Sequence, residues 1–143
     1  YCTSLSLYEF LINKFEKKGI KIVVNNPKEI KDIYTSQDGF QSILINLVSN
    51  AIKFSENDST IKVNINQEEK ECNIEIVNNG PVISNEEKDR LFVRHPFWSI
   101  SPRGLGLIIA KEWAERLEGK LDVKSDAELG TCFTLTLPYK KNN

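Results

Sequence analysis

The stretch Asp38–Phe54, DGFQSILINLVSNAIKF, admits little besides one amphipathic helix. Ile43, Leu44, Leu47, Val48 and Ala51 recur at helical spacing and form an apolar side. Asn46, Asn50 and Lys53 stand at i, i+4 and i+7, so they share another side. Two amides and an ammonium on one stripe suit a site for a metal and phosphates. A carboxamide oxygen is a hard, neutral ligand for Mg²⁺, with phosphate and water completing the shell. A nearby lysine adds a point charge for phosphate oxygens. The other reading, a solvated helix face in an asparagine-rich chain, stays equally open on this stretch alone.

The surrounding pattern sets the fold class. Residues 3–7 alternate as a short strand, and residues 8–18 repeat apolar positions as a helix, with Gly19 as its C-cap. Strands are expected at 20–24 and 30–34, and Asp38 with Gly39 is the expected N-cap region of the central helix. Residues 60–67 and 72–78 alternate as an antiparallel hairpin, with Ile61, Val63, Ile65, Cys72, Ile74 and Ile76 inward. A short helix over 85–92 and a Pro-containing loop over 93–103 follow. A helix over 104–118, ended by Gly119, turns Ile108, Ile109, Trp113, Ala114 and Leu117 to the core. Strands over 120–124 and 131–137 close the chain. Helices interleaved with mostly antiparallel strands predict an α+β two-layer sandwich, a mixed sheet with helices on one face.

Bulk properties narrow the function. A chain of 143 residues, 40% hydrophobic, is expected to be one globular domain over 1–143. A formal net charge of −1 leaves no basic excess for a nucleic-acid backbone. No apolar run approaches the roughly 20 residues that span a bilayer, so no membrane contact by this domain is expected. The absence of Met predicts a fragment of a longer protein, and residues 1–11 lack the basic start and apolar run of a signal peptide. Cys2, Cys72 and Cys132 are odd in number and form no CxxC pair, which predicts free thiols in a reducing compartment. His95 precedes a proline and belongs to no cluster, so no catalytic role is expected of it.

Three polar breaks flank the core elements: the amide helix, the Asn78-Asn79-Gly80 turn, and the Gly-Leu-Gly entrance to the last long helix. Backbone N–H groups at a glycine-opened helix start form an anion site. Gly104 and Gly106 let backbone approach a phosphate.

The ordered set resembles the ATP-binding catalytic domain of sensor histidine kinases, within the wider family shared with gyrase-type, heat-shock-chaperone and mismatch-repair ATPases. Residues 46–54, NLVSNAIKF, resemble its N box, and 78–83, NNGPVI, its first glycine box. Leu91-Phe92 resembles the F box, residues 104–107, GLGL, the second glycine box, and residues 130–133, GTCF, the last. The resemblance implies a Bergerat-type ATP-binding fold with ATP and Mg²⁺ as cofactors. It implies that Asn50 gives its oxygen to Mg²⁺, with Asn46 as orienter or second ligand, and that Lys53 contacts phosphate. Phe54 would line the nucleotide site, and Asn78, Gly80 and Ile83 would edge the adenine pocket. Phe92 would begin a lid running to Arg103. Gly104, Gly106 and Leu107 would meet phosphates through backbone N–H groups, and Thr131 of the last box completes the nucleotide site. Arg94 and Arg103 are phosphate partners or solvated loop charges. The implied partners are a histidine-bearing dimerisation domain of the same protein and a response regulator receiver domain. The implied location is cytoplasmic, in a parent protein that can itself be membrane-anchored. Hydrolysing relatives carry a water-activating glutamate where this chain has Asn46, which cannot take a proton. That favours a phosphotransferase, with catalysis by positioning and charge stabilisation and no catalytic side chain within these residues.

Four departures leave a second function open. Asn78 stands where the family has an adenine-reading aspartate, a change expected to weaken binding by about 1–2 kcal/mol. Val82 replaces a glycine and is expected to crowd the base. Pro102 removes a backbone donor from the second glycine box. The lid is short and aromatic. A degenerate domain with weak or no nucleotide binding, acting as an interaction module in signalling, therefore stands beside the active kinase domain.

Overall fold

The computed structural model describes residues 19–25, 33, 35–93 and 104–138. The strand expected at 3–7, the helix at 8–18, most of the strand at 30–34 and the lid over 94–103 lie outside them.

One sheet of five strands carries the domain, in the order β1-β2-β3-β5-β4. These are β1 (Lys21–Asn25), β2 (Thr60–Gln67), β3 (Glu71–Asn78), β4 (Lys120–Asp126) and β5 (Gly130–Pro138). β1 runs parallel to β2, and every other pairing is antiparallel. The expected mixed, mostly antiparallel sheet is therefore present. Its inner face is the alternating set read from the sequence: Ile61, Val63 and Ile65; Cys72, Ile74 and Ile76; Phe133, Leu135 and Leu137 are all buried. Burial pushes the Cys72 thiol up to about 11 and also raises that of Cys132.

Two long helices cover that face, α1 (Gln37–Phe54) and, after the short α2 (Asn85–Arg90), α3 (Leu105–Arg116). α1 starts a residue before the expected Asp38. Its cap is Ser36, whose side chain accepts from the Gly39 N–H at 3.2 Å, while Asp38 sits in the first turn. The apolar stripe begins at Phe40, which is 1% exposed. A Cβ on Gly39 would lie 2.6 Å from Trp113 Cε3, so a bare backbone lets α1 press on α3.

α3 buries an arc rotated from the one its sequence pattern indicated. Leu107, Ile108, Ala110 and Ala114 are buried, while Ile109, Trp113 and Leu117 are only partly so. The helix packs on both α1 and the sheet, which requires more than one apolar stripe. The turn that ends it places Glu118 in the left-handed region, at φ 64°, and the Gly119 N–H closes the helix end on the Ala114 carbonyl at 2.8 Å. Gly119 is needed because any side chain there would collide with the Thr136 carbonyl. β4 is an edge strand, and Lys111 of α3 donates to its Leu121 carbonyl at 3.1 Å. That covers a backbone acceptor which would otherwise template further pairing. Among the described residues no helix is long and apolar enough to cross a membrane.

Candidate functional site

The apolar side of α1 faces the sheet, and its polar stripe is graded along the helix. Asn46 is half-buried, Asn50 is 6% exposed, and Lys53 is exposed in the last turn. Asn46 is held by its own helix. Its Nδ2 donates to the Ser42 carbonyl at 2.8 Å. Its Oδ1 then faces the start of α3, where a Cβ on Gly106 would lie 2.8 Å away. Any side chain at Gly106 would close that space. Lys53 remains at the rim, its Nζ 5.4 Å from the Phe54 ring centroid.

The start of α3 is open backbone. Its N-cap, Gly104, has φ 83° and ψ −175°, and no side chain caps the first turn. A Cβ there would meet nothing within 4 Å, so glycine serves the backbone angle and not a crowded space. Among the described residues the helix start therefore has no side-chain cap on its N–H groups, the arrangement that favours an anion. Leu107 is buried beneath it.

The other end of the site is the corner after β3. Asn78 is the last residue of β3 and pairs with Thr131 of β5. It is 1% exposed, and neither its Oδ1 nor its Nδ2 has a hydrogen-bond partner among the described residues. Leaving such atoms unpaired costs about 1–3 kcal/mol each, and native interiors hold few of them. A side chain on Gly80 would collide with the Phe54 carbonyl oxygen and come within 3.0 Å of Asn78 Nδ2. The missing side chain thus lets the turn lie against the end of α1. The Glu56 N–H donates to the Asn79 carbonyl at 3.2 Å and ties the two together. Ile83 is buried, and its N–H donates to Ser125 Oγ at 2.9 Å. Ser125 Oγ lies in turn 3.0 Å from Thr131 Oγ1. Val82, expected to crowd the base, is 54% exposed, so most of its side chain faces solvent. Phe92 stands edge-on to Phe133 at 6.2 Å and 81°.

The expected residues thus gather in two groups on one side of the sheet. Gly80 meets the Phe54 end of α1, and Asn78, Thr131 and Ile83 adjoin it through the Asn78–Thr131 pairing and the Ser125 hydroxyl. Asn46 meets Gly106, with Leu107 beneath. Asn46 and Phe54 are eight residues apart, about 12 Å along a helix. That separation suits the distance from base to phosphates in a nucleotide. Sequence reasoning passed over Ser42, which holds Asn46, and gave no separate role to Ser125 or to Gly130 of the last glycine box, which shape the base corner. Ser42 had a signal, since it lies four residues before Asn46. Gly130, at φ 79°, has no space for a side chain beside the Asn78 carbonyl.

Known proteins share this arrangement. The family of histidine kinase-, DNA gyrase B-, and HSP90-like ATPases matches residues 35–141. The adaptive-response sensory kinase SasA of Prochlorococcus marinus (strain MIT 9303) is 30% identical over 132 residues, which is 88% of this chain and 36% of that kinase. The sensor protein EvgS of Escherichia coli O157:H7 is 35% identical over 109 residues, 71% of this chain and 9% of that protein. The chain therefore spans about a third or less of the length of these relatives. Among solved structures, the nucleotide-free catalytic domain of histidine kinase ThkA matches with a TM-score of 0.82 at 25% identity, over 96% of this chain and 92% of that one. The mycobacterial sensor histidine kinase MprB shares the fold, with a TM-score of 0.76 at 23% identity over 97% of this chain and 94% of that one. With its mixed five-stranded sheet under two long helices, the chain belongs to the family of histidine kinase-, DNA gyrase B-, and HSP90-like ATPases, as a catalytic domain of the sensor histidine kinase type.

Proposed function

We propose that this domain holds Mg·ATP between α1, the Asn78–Ile83 turn and the start of α3. It would position the γ-phosphoryl group for transfer to a histidine on a separate dimerisation domain of the same protein. A response regulator receiver domain would take the phosphoryl group next. The observation that carries this reading is the buried amide of Asn78, without a hydrogen-bond partner among the described residues, at one end of a site whose other end is the Asn46–Gly106 approach.

The donor set fits the cofactor. Asn46 and Asn50 supply neutral oxygens suited to Mg²⁺, with phosphate and water for the rest of the shell. Bound there, Mg²⁺ would neutralise charge on the phosphate oxygens. Gly104, Gly106 and Leu107 would meet phosphates through the open first turn of α3. Lys53 is close enough to the helix end to add charge at the rim. Asn46 offers no base for water, so transfer to a protein nucleophile is favoured over hydrolysis. The new N–P bond forms on the acceptor imidazole as ADP leaves. A cytoplasmic location follows from the same reading.

One observation favours a second reading. The Asn78 side chain is covered, at 1% exposed, so a base reaches it only when its neighbours give way. In that reading nucleotide binding is weak or absent and the chain serves as an interaction module in signalling. Incubating this chain with Mg²⁺, γ-labelled ATP and the dimerisation domain of its parent protein separates the two. Label on the histidine, lost in Asn50→Ala, supports the kinase. An unlabelled histidine beside a folded domain supports the module.

A further inference from the structure

Among the described residues, the amide of Asn78 is an uncharged group with no hydrogen bond to fix its direction. Asn78 presents one acceptor, Oδ1, and one donor group, Nδ2, and both are unpartnered among the described residues. Among the described residues no hydrogen bond holds the amide in one of its two orientations; a Cβ on Gly80 would lie 3.0 Å from its Nδ2. The neighbouring polar side chains are hydroxyls, Thr131 Oγ1 and Ser125 Oγ, 3.0 Å apart. Each hydroxyl rotates its hydrogen and can donate or accept.

A base edge meets these groups in one of two patterns. A 6-aminopurine offers a donor at N6 and an acceptor at N1. A 6-oxopurine offers the reverse, an acceptor at O6 and a donor at N1. An amide satisfies either pattern, because a half-turn about its terminal bond exchanges oxygen and nitrogen. A carboxylate in the same place only accepts. It would pair with an N6 amino group and set charge against an O6 carbonyl. A buried site with a one-way acceptor rejects the wrong base strongly, because a polar pair is left unmade.

Resting on the nucleotide-binding reading above, we infer that this domain accepts 6-oxopurine nucleoside triphosphates alongside ATP, and that Asn78 is the residue that sets this breadth. The substrate class is purine nucleoside triphosphate, not adenine nucleotide alone. Asn78 is a specificity residue: it touches the base and takes no part in the transfer.

Inosine triphosphate is the clean probe. It differs from ATP at the 6-position and N1 and adds no 2-amino group to the pocket. Calorimetric titration of this chain with Mg·ATP and with Mg·ITP should give dissociation constants within about tenfold of each other. The Asn78→Asp variant should tighten ATP and weaken ITP, opening the ratio to about 100-fold or more. ATP bound and ITP excluded by the unaltered chain would overturn this inference and leave nucleotide binding intact. Binding of neither would overturn both. The comparison on the unaltered chain decides the matter even if the carboxylate variant folds poorly.

Discussion

Asn46 of α1 and Gly106 of α3 face each other so closely that a methyl group on the glycine would sit 2.8 Å from the asparagine Oδ1. The obstacle is the tip of a side chain, so it can give way. Alanine also favours the helix over glycine by about 1 kcal/mol. Gly106→Ala is therefore expected to leave stability within about 1 kcal/mol of the parent, yet to weaken Mg·ATP by about tenfold as Oδ1 is displaced. Urea denaturation and calorimetry on the same variant check both halves. Unchanged affinity would mean that the space beside Asn46 is not used by the nucleotide.

Gly80 is a different case, because its obstacle is backbone. A side chain there meets the Phe54 carbonyl oxygen at the end of α1. Gly80→Ala must move either the turn or the helix end. Overpacking of this kind costs about 1–3 kcal/mol. The free energy of unfolding should fall by that amount, together with nucleotide affinity. A variant of parental stability would show that the turn adapts freely.

Asn78 places function against stability. Its two buried amide atoms lack partners among the described residues. Asn78→Leu removes both at similar size, so the free protein should gain about 1–3 kcal/mol in denaturant unfolding while nucleotide binding is lost. A less stable leucine variant would mean that the amide is satisfied in the free protein.

Much of this layout was legible as period. Ile61-Val63-Ile65, Ile74-Ile76 and Phe133-Leu135-Leu137 alternate because one sheet face is buried, and all turn inward. The stripe of α1 is equally plain, since five apolar residues fix its face. What could not be read depends on contacts distant in sequence. Ser36 takes the cap that Asp38-Gly39 advertised, because Phe40 must already be packed. Glu118, not Gly119, takes the left-handed position after the helix, and the constraint on Gly119 comes from Thr136 on another strand. The i+7 spacing put Lys53 in line with Asn46 and Asn50, but the helix ends one residue later and leaves its ammonium in solvent. The identity of Asn78 was plain in the sequence. Its lack of partners belongs to the folded corner alone.

Cys72 gives a pH signature of the core. Burial raises its thiol from 9.0 to about 11. The neutral thiol is the form the fold favours, so its contribution is complete below the unfolded value and is lost as pH rises toward the folded one. The loss reaches about 2–3 kcal/mol at most. Unfolding free energies from neutral pH to about 10 should therefore fall more steeply for the parent than for Cys72→Val. Equal slopes would show that this thiol ionises as easily in the fold as in the unfolded chain.

The most direct test is calorimetric titration of this chain with a non-hydrolysable ATP analogue and Mg²⁺, beside Asn50→Ala. Saturable heat in the parent, with a rise in melting temperature, and neither in the variant, is the expected result. No heat and no thermal shift at millimolar analogue would contradict a nucleotide seated between α1 and α3.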